Sequence, residues 1–184
     1  MIDLLTLEKD FIRPHVKEGG VVVDFTMGNG HDTLWLSQQV GENGKVYAFD
    51  IQEKALESTR VTLQNEGCPD NVTLICDSHS NVLQYVNEPI SVGVFNLGYL
   101  PGGGNKELTT LRPTTKKAVT DAISLLDKDA IILIAVYPGH EEGRLEGEML
   151  AEMLKEYDRR KICVSQFRII NSPTSPYFFA VESK

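Results

Sequence analysis

The chain has 184 residues, 41% of them hydrophobic and 24% charged, an ordinary composition for one soluble globular domain with a real core, read as a single unit over residues 1–184. With 18 Lys and Arg against 26 Asp and Glu the formal charge is −8, which argues against sequence-blind coating of nucleic acid and leaves any RNA to a local basic patch. Cys68, Cys76 and Cys163 form no Cys-x-x-Cys pair, so they read as reduced thiols rather than a disulfide framework or a zinc knuckle, and no metal is expected.

The N-terminal stretch carries no basic leader, and no apolar run nears the ~18 residues of a membrane span, so the expectation is a cytoplasmic protein with no membrane partner. Leu4, Leu5, Leu7, Phe11, Ile12 and Val16 share a helical stripe that stops near Gly19 and Gly20, which predicts a first helix packed on a sheet. Residues 21–25 read as a buried strand and residues 31–40 as a helix with Leu34, Trp35 and Val40 inward. A second strand follows over residues 45–50, a helix over 53–66 closed by Gly67, and a third strand over 72–76. A short helix over 80–86, a strand over 91–96, a helix over 114–126, an apolar strand over 130–137 and a helix over 142–157 continue the alternation. Residues 161–169 and 177–181 are two late strands. Alternation of short strands with helices implies right-handed crossovers and a mainly parallel sheet. The link between the late strands, residues 171–176, is too short for a parallel crossover, so one of them must run antiparallel.

Val21-Val22-Val23-Asp24-Phe25-Thr26-Met27-Gly28-Asn29-Gly30-His31-Asp32-Thr33 reads as strand, tight turn and helix N-terminus. Gly28 and Gly30 let the backbone take unusual dihedrals and approach a ligand, while the first amides of the next helix point into the same space. Asp50 ends the second strand about twenty residues later, where a nucleotide-binding α/β unit places a carboxylate against the ribose hydroxyls. Thr33 stands where a dinucleotide fingerprint wants a small residue, and Asp24 beside the loop would repel a pyrophosphate. A cationic nucleoside such as S-adenosyl-L-methionine satisfies both constraints. The contacts expected for it are Asp24, Thr26, Met27, Gly28, Asn29 and Gly30 in the first loop, Asp50 and Gln52 at the second strand, and Asp77, Ser78 and His79 after the third. Plain helix capping by Asp50, and by Asp77 or Ser78, remains an open alternative.

On these residues the chain resembles the Rossmann-like class I S-adenosylmethionine-dependent methyltransferases. More narrowly, Asn96-Leu97-Gly98-Tyr99-Leu100-Pro101-Gly102-Gly103 and Tyr137-Pro138-Gly139-His140 are similar to a small bacterial rRNA-methylase family that includes the tRNA 5-aminomethyl-2-thiouridine wobble methyltransferase. The resemblance implies a seven-stranded, mainly parallel sheet with an antiparallel late strand and helices on both faces. It also implies an enzyme that methylates tRNA, with rRNA or a small molecule as the other acceptors. Leu97 and Gly98 replace both prolines of the Asp/Asn-Pro-Pro-Tyr loop used by amino-methylating enzymes, which suits an amine on a flexible arm better than a planar base amine.

Asn96 can accept from the nucleophilic amine and Tyr99 can stack on the target. An alkylammonium has no lone pair, so a proton acceptor is also wanted; His140 is one candidate, with His31 and His79 beside the cofactor loops, and each can equally be structural. Lys106, Arg112, Lys116 and Lys117 form the candidate RNA patch, and Arg112-Pro113-Thr114-Thr115 can equally be a bare helix start. A second copy of an acidic chain can complete an RNA surface, so a homodimer is a further expectation. A non-catalytic S-adenosylmethionine-binding module is the alternative from another class.

Overall fold

A computed structural model describes residues 4–98 and 111–184. Seven strands form one sheet in the order β3-β2-β1-β4-β5-β7-β6. The strands are β1 (Val21–Asp24), β2 (Lys45–Asp50), β3 (Val72–Cys76), β4 (Ile90–Asn96), β5 (Leu126–Val136), β6 (Ile162–Phe167) and β7 (Tyr177–Ser183). The helices are α1 (Leu4–Ile12), α2 (His31–Val40), α3 (Glu53–Asn65), α4 (Arg112–Leu125) and α5 (Glu141–Leu154). The first five strands pair in parallel, whereas β7 runs antiparallel to both β5 and β6. This is the mixed sheet the sequence predicts.

Strand periodicity decides which side chain meets which helix layer. Val22, Val46, Val92, Ile131, Leu133 and Phe178 face one layer with Ile12 of α1 and Leu36 and Val40 of α2. Their neighbours Val23, Phe49, Ile132, Ile134 and Phe179 face the other, with Ala118, Val119 and Ala122 of α4 and Leu150 and Leu154 of α5. Alternate residues of a strand point to opposite faces, so a sheet covered on both sides must be apolar at nearly every position. β5 shows this from Ala130 to Val136, all seven of them buried.

Several expected bounds move, each for a local reason. α1 ends at Ile12 because Pro14 follows, and the chain continues as a 3-10 turn over Arg13–His15, since proline cannot donate to the helix ladder. The stretch expected as a short helix over 80–86 is a 3-10 turn over His79–Gln84. In α2 the buried row is Thr33, Leu36, Ser37 and Val40, while Leu34 and Trp35 are half-buried. The helix is phased by Thr33, which turns inward to Asp24. Trp35 instead lies under two cations, Lys9 Nζ at 5.6 Å and Arg13 Cζ at 5.8 Å from its ring centre.

β5 begins at Leu126, four residues before its apolar run. Its first pairing, Ile90 with Leu126, is followed by a register shift to Val92 with Ile131. Asp129 absorbs the irregularity with φ of +56°, a conformation that costs an L-residue energy and glycine almost none. Asp129→Gly is expected to stabilise the protein by about 0.5–1 kcal/mol, read as a higher midpoint in urea unfolding.

Candidate active site

β1 and β4 are neighbours in the sheet, and the chain leaves β1 toward β2 but leaves β4 toward β5, so a crevice opens between their carboxyl ends, the usual ligand position in parallel sheets. The side chains at the tips of β1, β2 and β4 converge on it.

Asp24 ends β1 and is fully buried. Its carboxylate accepts from the Thr26 backbone N–H at 3.1 Å and from the Thr33 hydroxyl at 2.6 Å. Burial, with the nearby Asp32 carboxylate as the next cause, pushes Asp24 up to about 7. A carboxylate held this far from its ordinary range is an anion short of a cation, as a site for an ammonium or sulfonium requires. Thr33→Val removes the hydroxyl donor at nearly constant shape. The expected outcome is a further rise in the Asp24 pKa, so that the pH midpoint of cofactor affinity moves upward in calorimetry, with a stability loss of about 1–3 kcal/mol.

The loop after β1 is pinned from α3. Thr59 donates to the Gly28 carbonyl at 3.1 Å, Thr62 to the Asn29 carbonyl at 2.9 Å and Ser58 to Asn29 Oδ1 at 3.0 Å. The Asn29 side chain thus points to α3, and it is the loop backbone that remains to face a ligand. Gly28 and Gly30 both have positive φ. At Gly30 a Cβ would also stand 2.9 Å from Thr59 Cα, so this glycine serves the approach of α3. Met27 is buried, with its N–H on the Phe49 carbonyl at 2.9 Å, and its own carbonyl accepts from Gly30.

Asp50 accepts from Gly28 N–H at 3.2 Å and Gln52 N–H at 3.0 Å. Partial burial raises its pKa, and these backbone donors oppose the rise. Two backbone donors leave acceptor capacity on a carboxylate with about four lone-pair sites. The N-cap of α3 is Gln52, with no side-chain cap bond, so Asp50 is not spent as that cap.

Asp77 is different. It accepts from Ser78 N–H, from the Asn81 amide at both oxygens, at 3.0 and 3.1 Å, and from the Tyr85 hydroxyl at 2.9 Å. Asn81 first and then Tyr85 hold it below the usual carboxylate range. Its acceptor sites are filled by its own turn, and Ser78 caps the 3-10 segment by accepting from Ser80 N–H. His79 is buried edge-on to Phe95, with Nδ1 on the Phe25 carbonyl at 3.2 Å and Nε2 without a hydrogen-bond partner among the described residues. Burial lowers its pKa, so the ring is a neutral imidazole that donates at Nδ1.

Asn96, the last residue of β4, is fastened on three sides. Its N–H donates to Thr26 Oγ1 at 2.7 Å, its Nδ2 to Asp32 Oδ2 at 2.8 Å, and its Oδ1 accepts from the Tyr137 hydroxyl at 3.3 Å. Burial, then Glu8, then Asp32 push Tyr137 up to about 12, so it stays a donor.

This geometry has counterparts. The family model described as "Putative rRNA methylase" matches residues 46–182. The chain belongs to this methylase family. Its fold superposes on a putative rRNA-methylase from Clostridium thermocellum with a TM-score of 0.96 and 39% identity, covering 100% of this chain and 99% of the other. For a putative methyltransferase of Streptococcus mutans, solved in complex with SAH, the TM-score is 0.90 and the identity 34%, again over 100% and 99%. The Arabidopsis thaliana chloroplastic tRNA (mnm(5)s(2)U34)-methyltransferase is 35% identical over 171 residues, 88% of this chain and 62% of the plant protein. The chain thus spans less than two thirds of that relative's length.

The other expected contacts are disposed as follows. His140 is the N-cap of α5, its Nδ1 accepting from Gly143 N–H at 3.1 Å, so that nitrogen is occupied as a cap. His31, the first residue of α2, is exposed. Arg112 opens α4 with Pro113 in the first turn and pairs with Glu142 of α5 at 3.5 Å. Lys117 bonds Asp121 at 2.6 Å and also the Ser80 carbonyl, while Lys116 is exposed. The helix-start reading of this segment therefore describes its structure, and half-exposed pairs of this kind hold their partners weakly. Tyr99 and Lys106 lie outside the described residues. No helix among the described residues is long and apolar enough to cross a membrane.

Several contributors escaped the sequence reading: Thr33, read only as an obstacle to a dinucleotide; Asp32 and Tyr137, which hold the Asn96 amide; the α3 row Ser58, Thr59 and Thr62; and Glu8, a buried acid of α1 whose charge reaches Tyr137. An acid on the apolar side of an otherwise amphipathic helix is the one signal that pointed to the last.

Proposed function

We propose that the methylase transfers a methyl group from S-adenosylmethionine to a nitrogen of RNA, with the 5-aminomethyl arm of a tRNA wobble (2-thio)uridine as its acceptor. The observation that carries the cofactor half of this reading is the fully buried Asp24 carboxylate at the tip of β1. The donor set fits the cofactor: Asp24 for its cationic amino-acid end, the unpaired amides at the start of α2 and the loop backbone for its polar tail, and Asp50 for the ribose hydroxyls. Asp77 meets an adenine amino group only by giving up a donor such as Tyr85. When bound, S-adenosylmethionine supplies a methyl on a positively charged sulfur, an activated leaving group.

The amine reacts in its neutral form, having left its ammonium proton to solvent before docking, and the product departs as the secondary ammonium, so the chain's own residues have little acid-base work in the displacement itself. They must hold the amine in line with the methyl and keep competing water out, and alignment of this kind accounts for most of a displacement's acceleration. Asn96 Oδ1 accepts an N–H of the incoming amine and so turns the nitrogen lone pair away from itself. The plant relative, named for the wobble position, and the rRNA-methylase description of the family both support RNA as the acceptor. The net charge of −8 argues for a local contact rather than a general one.

The deciding experiment incubates purified methylase with methyl-labelled cofactor and tRNA from cells lacking the gene, followed by nucleoside mass spectrometry. Label in one wobble nucleoside is expected. Label in ribosomal RNA alone would transfer the assignment to rRNA, and cofactor binding without turnover on any RNA would leave a binding module.

A further inference from the structure

We infer that Asp32 is a positioning residue that dictates which face of the Asn96 amide meets the acceptor amine. The inference rests on the proposed amine acceptor and goes beyond it, because the Asp32 carboxylate touches neither cofactor nor substrate in that scheme. An asparagine amide has two faces with opposite hydrogen-bonding sense, and only the carbonyl face serves a nucleophilic amine. With Oδ1 forward, the amine donates an N–H and keeps its lone pair for the methyl. With the amide turned over, Nδ2 would donate to that lone pair and occupy it.

The neighbours of Asn96 break this symmetry. Asp32 Oδ2 lies 2.8 Å from Nδ2, and an ionised carboxylate only accepts, so the NH2 group is drawn toward it by a charge-assisted bond. The Tyr137 hydroxyl donates to Oδ1 at 3.3 Å, and its pKa of about 12 keeps the proton there. Turning the amide over would set Oδ1 against the carboxylate, exchanging an attraction for a repulsion. Meanwhile the Asn96 backbone is fixed by its N–H on Thr26 Oγ1 at 2.7 Å, so the side chain cannot escape by moving the strand.

Asp32 is itself well held. It sits in the first turn of α2, where the helix dipole favours an acid, and Lys9 Nζ approaches its other oxygen at 3.8 Å. One Oδ1 lone pair is thus taken by Tyr137 and the second remains for the amine.

Asp32→Asn is the informative variant, since it keeps the shape and replaces the pure acceptor by a group able to satisfy either amide orientation. Two measurements are made: turnover on the aminomethyl-bearing tRNA, and the side-chain amide resonances of Asn96 in the cofactor-free protein by proton–nitrogen NMR. The expected result is a kcat lower by about 10²-fold, a shifted Asn96 amide pair, and unchanged affinity for S-adenosylhomocysteine at alkaline pH, where Asp24 is ionised in both proteins. Asp32→Glu, which restores the acceptor, should recover part of kcat. Wild-type turnover in Asp32→Asn, or an unmoved Asn96 amide pair, overturns the inference. Should the wild-type protein methylate no aminomethyl acceptor at all, the functional reading fails, and the amide resonances still decide the Asp32–Asn96 assignment.

Discussion

Asp24→Asn is expected to weaken the hold on S-adenosylmethionine by roughly 10²–10³-fold while making the cofactor-free protein more stable above neutral pH. Both effects come from one buried charge. In the unfolded chain Asp24 loses its proton near 3.8, whereas in the fold it keeps it until about 7. The folded state therefore binds the extra proton between those values, and its stability falls as pH climbs through that window, levelling off above it. The total is about 4 kcal/mol for a shift of this size. Asparagine preserves the two contacts, since its carbonyl accepts from Thr26 and its NH2 can donate to the Thr33 oxygen, and it carries no charge to strand. The stability difference between wild type and variant, measured by urea unfolding across about pH 4 to 8, should grow in the variant's favour as pH rises. Parallel calorimetry should show wild-type affinity climbing through the same window and the variant's remaining low and flat. A constant stability difference would mean that Asp24 titrates at its ordinary value.

Gly30→Ala should cost roughly 2–5 kcal/mol, a large share of a small domain's stability. Two penalties add. The φ of +83° is one that a Cβ makes unfavourable by ~1–2 kcal/mol. The new methyl also meets Thr59 at 2.8 Å for Cγ2 and 2.9 Å for Cα; the latter is helix backbone and has no rotamer to offer, so overpacking adds ~1–3 kcal/mol. Relief requires α3 to withdraw, which lengthens the bonds from Thr59 and Thr62 to the Gly28 and Asn29 carbonyls and loosens the loop that faces the cofactor. Gly67→Ala separates the two penalties. Its φ is +62° with nothing within 4 Å of the added atom, so it should show the conformational cost alone and leave cofactor affinity intact. Equal losses in the two variants would mean that the Thr59 contact relaxes freely.

The fold was legible because its signals are local and repeated. Each β-branched run followed by an amphipathic stretch announces a strand and its crossover, and the short link after residue 170 forces the antiparallel pair at β7. The tips of β1, β2 and β4 were legible for the same reason, since strand ends fix where Asp24, Asp50 and Asn96 stand. What the sequence does not carry is the second partner of each group. Nothing in the pattern of α3 distinguishes Ser58, Thr59 and Thr62 from solvated hydroxyls, because their targets are the Asn29 side-chain oxygen and two loop carbonyls, 29 to 33 residues away. Asp77 shows the converse: its position marks it as a ligand contact, yet Asn81 and Tyr85, four and eight residues further on, fill it from within. His140 similarly reads as a base until Gly143, three residues on, takes up its Nδ1.

The place of β7 in the sheet bears on folding. β6 precedes it in the chain, yet β7 is its neighbour in the ladder, wedged between it and β5. Until β7 docks, two strands therefore wait with bare backbone edges, one of them carrying the apolar run from Ala130 to Val136. Unpaired edges of this sort recruit other chains, so conditions that slow the docking of β7 should favour aggregation during refolding.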